Sequence, residues 1–221
     1  MIKGSIFDAD GALFDTLYDL GNSMNIVLEE YHYPTHIMSK YKVFVGNGIY
    51  KLVERALPVD SHDVEACYKR FNEVYKEHCL DHSELYNGIE DLLQELNRRN
   101  IQVSVVTNKP HYFASRLVEK RIKTPVTSIY GEQVSQYPKK PDPTSTMLAL
   151  KDMHLERNEV LFIGDSNVDI QTASNAGLLS VGVLWGFRGK EELEKEGAYA
   201  TITHPNELIK VIDDLHNGGI K

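Results

Sequence analysis

The run "SIFDADGALFDT", residues 5–16, carries apolar residues straight into two acids one residue apart, Asp8 and Asp10. Carboxylates that close repel, and at least one is raised in pKa unless a cation or a proton is shared between them. The plain alternative is a chain reversal at Asp10-Gly11, since both residue types favour turns. Two later apolar runs also stop on polar clusters, Thr107-Asn108-Lys109 and Asp165-Ser166. In open parallel sheets ligands bind beyond the carboxyl ends of the strands. Three such ends on one edge would form a site holding carboxylates, a hydroxyl and an amine. Their convergence is the signal, and no single motif is.

The chemistry of the set follows from its atoms. Asp8, Asp10 and Asp165 supply oxygen ligands, the kind hard Mg²⁺ takes while keeping waters for a substrate phosphate. Asp169, at the start of "VDIQTASNAGL", could hold a metal-bound water or orient a lysine. It could equally be an acid favoured by a helix N-terminus. Lys139 and Lys140 precede Pro141 and Pro143, which makes a stiff extended segment. A rigid ammonium there could hold a phosphate oxygen, whereas the commoner reading of two adjacent lysines is a solvated pair. Gly46-Asn47-Gly48 permits close backbone approach, so Asn47 is the candidate for a loop that reads substrate, against a simple turn between helices.

These residues need elements to hold them. Runs rich in Val and Ile occur at 2–7, 102–107, 126–130, 160–164, 180–184 and 200–203, with helical patterns between most of them. Runs with little polar alternation are strands buried on both faces, so a doubly wound, mainly parallel α/β sheet is expected. Ile89, Leu92, Leu93 and Leu96 predict a helix over 88–99. The interval 16–82 breaks this alternation. Leu17, Leu20, Met24, Val27, Leu28 and Tyr31 form one helical stripe; Val64, Cys67, Tyr68, Phe71, Val74 and Tyr75 form another. The expected organisation is a core of residues 1–15 and 83–221 with an inserted all-helical domain over 16–82.

Composition narrows the partners. The chain has 221 residues, a formal charge of -8, 42% hydrophobic and 25% charged residues, the profile of a soluble globular protein with one sizeable core. The acidic balance disfavours nucleic acid and anionic membranes, though one local cationic site could attract a small anion. With no leader pattern, no membrane-length apolar run and only Cys67 and Cys79, a cytoplasmic protein with reduced thiols is expected, as a monomer or homodimer. In "HCLDH" His78 and His82 have the helical spacing of a zinc pair, but a helix end with exposed histidines is the commoner case. Trp185 and Phe187 read as packing and loop residues, not a base-stacking platform.

Taken together, "DADG" with Asp15 following, "VVTN", "KKPDP" and "GDSNVD" resemble, in order and spacing, the motifs of the haloacid dehalogenase superfamily of phosphohydrolases. The likeness covers most of the chain. "VFVGNGIYKLVERAL", "VVTNKP" and "SVGVLWGFR" look most like the phosphoglycolate phosphatase branch, with a helical cap after the first motif. The resemblance implies a Rossmann-like core and a Mg²⁺-dependent phosphoric monoester hydrolase acting on a small-molecule phosphate through an aspartyl-phosphate. It implies Asp8 as nucleophile, Asp10 as general acid/base held protonated by anionic neighbours, Thr107 as the hydroxyl gripping the phosphoryl group with Asn108 beside it, and Lys140 as the phosphate-binding lysine. Metal binding falls on Asp8, Asp10, Asp165 and Asp169. Ala12 stands where the family usually has Thr and Asn87 where it often has Pro. Losing the Thr hydroxyl should loosen the loop behind Asp8.

The expected substrate is 2-phosphoglycolate, with pyrophosphate or a range of sugar phosphates as alternatives. A dehalogenase would not need Asp10, and similar mutases carry an arginine where this chain has "GNGIY". A catalytically idle phosphate- or partner-binding protein is the alternative of another class, because fold alone never proves activity.

Overall fold

The computed structural model describes residues 1–133 and 136–218. In chain order its elements are β1 (Gly4–Phe7), β2 (Phe14–Asp15), α1 (Leu17–Glu30), α2 (Met38–Phe44), α3 (Ile49–Ala56), α4 (Val64–His78), β3 (Glu84–Leu85), α5 (Ile89–Arg98), β4 (Gln102–Pro110) and α6 (His111–Arg121). They continue with β5 (Ser128–Glu132), α7 (Thr144–Met153), β6 (Val160–Gly164), α8 (Asn167–Ala176), β7 (Leu179–Val183), α9 (Lys190–Lys195), β8 (Ala200–Ile202) and α10 (Glu207–His216). No helix among the described residues is long and apolar enough to cross a membrane.

Six strands form one parallel sheet in the order β5-β4-β1-β6-β7-β8. Neighbouring residues of a strand point to opposite faces, and both faces are covered. Phe7, Val105, Leu161 and Ile163 meet α5 and α10 on one side; Ile6, Val106, Val160 and Phe162 meet α7 and α8 on the other. Continuous apolar runs are therefore what the fold requires of these strands. The chain runs outward from β1 to β4 and β5, then crosses back to β6 beside β1. That reversal leaves a crevice at the carboxyl ends of β4, β1 and β6.

Helices α1 to α4 build a second apolar cluster with Leu28, Tyr41, Leu52, Phe71 and Tyr75 at its centre, joined by Phe113 of α6. The segments that enter and leave this cluster are tied together in two ways. β2 and β3 pair antiparallel, Phe14 with Leu85 and Asp15 with Glu84. The buried Asp19 carboxylate accepts the N–H groups of His82 and Ser83 and the Ser83 hydroxyl.

Candidate active site

Asp8 follows β1 directly, and its N–H donates to Ile163 O of the neighbouring β6 at 2.9 Å. The next residues turn sharply. Leu13 and Phe14 N–H both donate to Ala9 O, and Gly11 N–H donates to Phe14 O. Gly11 adopts φ +89°, and a Cβ on it would stand 2.3 Å from Asp165 Oδ2, so only glycine lets the first loop approach the β6 acid this closely. Ala12 has no hydroxyl to brace this turn, but Trp185 Nε1 donates to Ala12 O at 3.0 Å and braces it from the β7 side.

Asp8, Asp165 and Asp169 each place a carboxylate oxygen within 4.8 Å of one another, all three buried; this is the one such acid, histidine or cysteine grouping among the described residues. Asp169 sits at the third position of α8, where Oδ2 accepts the N–H groups of Asp165 and Ser166 and the Ser166 hydroxyl in a capping box. Its other oxygen, Oδ1, is 2.6 Å from Lys140 Nζ. Both readings of Asp169, helix N-terminal acid and lysine orienter, therefore describe one carboxylate using its two oxygens.

Lys140 reaches the group from the segment before α7. Its Nζ is 2.7 Å from Asp8 Oδ1, and its side chain is 3% exposed, so it is no solvated lysine. Asn108 fixes the segment, accepting Lys140 N–H on Oδ1 at 2.8 Å and donating from Nδ2 to Lys140 O at 3.1 Å. The Asn108 amide also lies 3.4 Å from Gly46 O. The side chain expected to touch substrate is thus occupied in positioning Lys140 and meeting the 46–48 loop. Thr107 is buried at the same strand end, its Oγ1 accepting the Lys109 N–H.

Burial pushes the Asp8 carboxyl up to about 6 against the pull of Lys140, with Asp169 and Asp10 adding to the rise. Burial likewise raises Asp165 well above the carboxylate range, reinforced by Asp169 and Asp8 and opposed by the Phe187 N–H. For Lys140 burial acts against the charge, but Asp169 and Asp8 outweigh it and hold the ammonium above its ordinary range. The balance is that of an acidic centre short of positive charge. Three clustered carboxylates fit a hard divalent cation.

Asp10 is not in that acidic group. Its carboxylate turns to Lys109 Nζ, 3.0 Å from Oδ1 and 3.2 Å from Oδ2, and accepts the Thr16 hydroxyl at 2.8 Å. A cationic neighbour, the lysine of the Thr107-Asn108-Lys109 strand end, therefore faces the acid expected to have anionic ones. Asn47 is also displaced from the expected place: its Oδ1 accepts from Arg55 at 2.7 Å on the helical side, while Gly46 and Gly48 line the cavity in front of Asp8, Asp10 and Thr107. That cavity holds about 20 Å³, room for about one water. Arg188 donates to Lys42 O and, at 2.9 Å, to Val45 O, and so ties the loop after β7 to the same segment.

The sequence places Lys109 in a polar strand end without giving it a role, and gives none to Tyr75 or Arg188. Lys109 had a signal, its place at the end of β4 beside Thr107. Tyr75 belonged to an apolar helical stripe, which does not distinguish a buried hydroxyl with a partner from a buried ring. The "HCLDH" histidines do not converge: His78 Nδ1 lies 2.7 Å from Asp81, and the His82 ring stands edge-on to Tyr18.

In this parallel sheet the carboxyl ends of β1 and β6 carry the acids, that of β4 carries Thr107 and Asn108, and a loop brings in Lys140. The model of the haloacid dehalogenase-like hydrolase family matches residues 5–183, and the chain belongs to that family. It is 31% identical to an N-acetylmuramic acid 6-phosphate phosphatase of Pseudomonas putida, over 96% of both chains. It is 30% identical to a phosphoglycolate phosphatase of Chromobacterium violaceum, over 98% of both. Among solved structures, one from Lactobacillus delbrueckii subsp. bulgaricus, provisionally named a phosphoglycolate phosphatase, superposes with a TM-score of 0.90 at 29% identity, covering 95% of this chain and 98% of that one.

Proposed function

We propose that the chain is a Mg²⁺-dependent phosphatase of the cytoplasm that hydrolyses a small-molecule phosphate monoester, 2-phosphoglycolate first, through an aspartyl-phosphate on Asp8. The observation that carries this reading is the contact of Asp8 with Lys140 inside a buried acidic group that fits a divalent cation. Asp8, Asp165 and Asp169 are the residues that would hold the metal, which when bound draws charge from the phosphoryl oxygens.

The chain's own residues do the rest. Asp8 attacks phosphorus, splitting one hard displacement into two. The Thr107 hydroxyl and the Lys140 ammonium hold phosphoryl oxygens, with Lys140 fixed by Asn108 and Asp169. Asp10 gives a proton to the leaving alkoxide and later takes one from the water that attacks the aspartyl-phosphate.

Residues 16–82 act as a cap over the core of 1–15 and 83–221, and the loop 46–48 excludes water and reads the leaving group. Leu20, Ile49 and Leu52 bound the cavity on the cap side, and similarity to the phosphoglycolate phosphatase of Chromobacterium violaceum supports glycolate as the first leaving group to test. The relative named for N-acetylmuramic acid 6-phosphate, matched over 96% of its length, favours a sugar phosphate as the second reading.

Phosphate release from 2-phosphoglycolate, N-acetylmuramic acid 6-phosphate and pyrophosphate, each with Mg²⁺ and with EDTA, tests the proposal. Metal-dependent turnover of one ester well above the others names the leaving group. No turnover of any of them returns the chain to a binding role.

A further inference from the structure

Lys109 has no place in the scheme above, and its surroundings are costly for an ammonium. Its side chain is wholly enclosed, with Nζ 4.8 Å from the centre of the Tyr75 ring. That ring is itself fully buried, stacked on Phe71 and edge-on to Phe113. A charge is kept in such an apolar box only when a counter-charge and hydrogen-bond acceptors accompany it.

Three oxygens do so: Asp10 Oδ1 at 3.0 Å, Asp10 Oδ2 at 3.2 Å and Tyr75 OH at 2.8 Å. An ammonium has three N–H groups, so Lys109 spends all of them on protein and holds no phosphoryl oxygen. Buried ion pairs seldom stabilise a fold more than apolar side chains of the same volume. Folding therefore gives no reason for a lysine here, whereas the orientation of Asp10 does. With Thr16 on Oδ1 and Lys109 bridging both oxygens, the carboxyl plane of Asp10 is set from two sides.

We propose that Lys109, anchored by Tyr75 of α4, is the positioning residue that aims Asp10 at the leaving group; this rests on the reading of Asp10 as general acid/base. As the bond from phosphorus to the leaving oxygen breaks, its electron pair stays on that oxygen and the Asp10 proton moves onto it. The charge left on Asp10 appears between Lys109 and Thr16, which already point at it. In the second step water oxygen bonds to phosphorus, the bond to Asp8 breaks with its electron pair returning to Asp8, and Asp10 takes the water proton. Lys109 keeps its own proton throughout. One of its three bonds comes from the helical segment, so the acid is fully oriented only while α4 is seated on the core.

The leaving group separates this role from a structural one, because p-nitrophenolate departs without help while an alkoxide needs the proton. In Lys109→Met, kcat/KM, which covers the steps up to departure of the leaving group and not the aspartyl-phosphate hydrolysis that both esters share, should fall about 10²-fold for 2-phosphoglycolate, against less than about 10-fold for p-nitrophenyl phosphate. Tyr75→Phe keeps the ring and the ion pair and should show the same selectivity at a smaller size. If Lys109→Met does not fold, Tyr75→Phe decides alone. Asp10→Asn is the reference. Selective loss in Asp10→Asn with equal loss on both esters, or none, in the Lys109 and Tyr75 variants overturns this inference alone. No selectivity in Asp10→Asn removes the reading of Asp10 and this inference with it.

Discussion

The ammonium of Lys140 stands 2.7 Å from a carboxylate oxygen of Asp8, although 132 residues separate the two in the chain. Asp169 closes on the same ammonium from its other side at 2.6 Å. Two of the three buried acids, Asp8 and Asp169, are thus bridged by one cation from a loop. In Lys140→Met they lose it, which should cost about 3–5 kcal/mol in EDTA and lower kcat about 10²–10³-fold. Thermal melts with and without Mg²⁺ check the first figure, with Mg²⁺ recovering part of the loss, and phosphate release checks the second. A Lys140→Met protein as stable as the parent in EDTA would speak against the ion-pair account.

The same centre makes stability depend on pH in a stated direction. Asp8 is raised to about 6 and Asp165 is raised too, both first by burial. Between the ordinary carboxylate range and pH about 6 the folded state therefore binds more protons than the unfolded chain. For these groups the unfolding free energy falls as pH rises through that window, by about 3 kcal/mol for the Asp8 shift taken alone. Bound Mg²⁺ opposes this, and protons compete with it. Melts in EDTA and in Mg²⁺ should show a larger metal-induced rise in Tm near pH ~7.5 than near pH ~5, and equal rises would contradict the assignment.

Asn108 acts through Lys140. Its amide holds both the N–H and the C=O of that residue, so Asn108→Ala should lower kcat about 10–100-fold while KM changes less. A rise in KM alone would instead make Asn108 a direct substrate contact.

Arg188 donates to two carbonyls of the segment leading into the 46–48 loop, Lys42 and Val45. Arg188→Ala should raise KM about 3–10-fold, the worth of one or two such hydrogen bonds, with a smaller change in kcat. Asn47→Ala, whose side chain faces Arg55, should change kcat/KM far less. A larger effect of Asn47→Ala would restore its side chain to the reading of substrate.

Much of the sheet was legible because burial on both faces leaves an uninterrupted apolar run. The run expected over 160–164 is β6, Val160–Gly164, and the helix expected over 88–99 is α5, Ile89–Arg98. The paired two-residue strands β2 and β3 were not legible, since two residues carry no period, and neither was the Asp19 bridge across 64 residues to Ser83. At the site, strand ends pointed to Asp8, Thr107 and Asp165, whose positions follow from the backbone. What sequence could not give is where a side chain turns once it is there. Asp10 turns from the acidic group to Lys109, and Asn47 turns from the cavity to Arg55, because each finds a cation that only the folded chain brings near.

The most direct test of the central claim is phosphate release by Asp8→Asn beside the parent protein, both shown folded by thermal melts, with Mg²⁺ and with EDTA. The account predicts metal-dependent turnover in the parent and a loss of at least about 10⁴-fold in the variant, as for removal of a nucleophile. Turnover by folded Asp8→Asn within about 10-fold of the parent would show that phosphoryl transfer does not pass through Asp8.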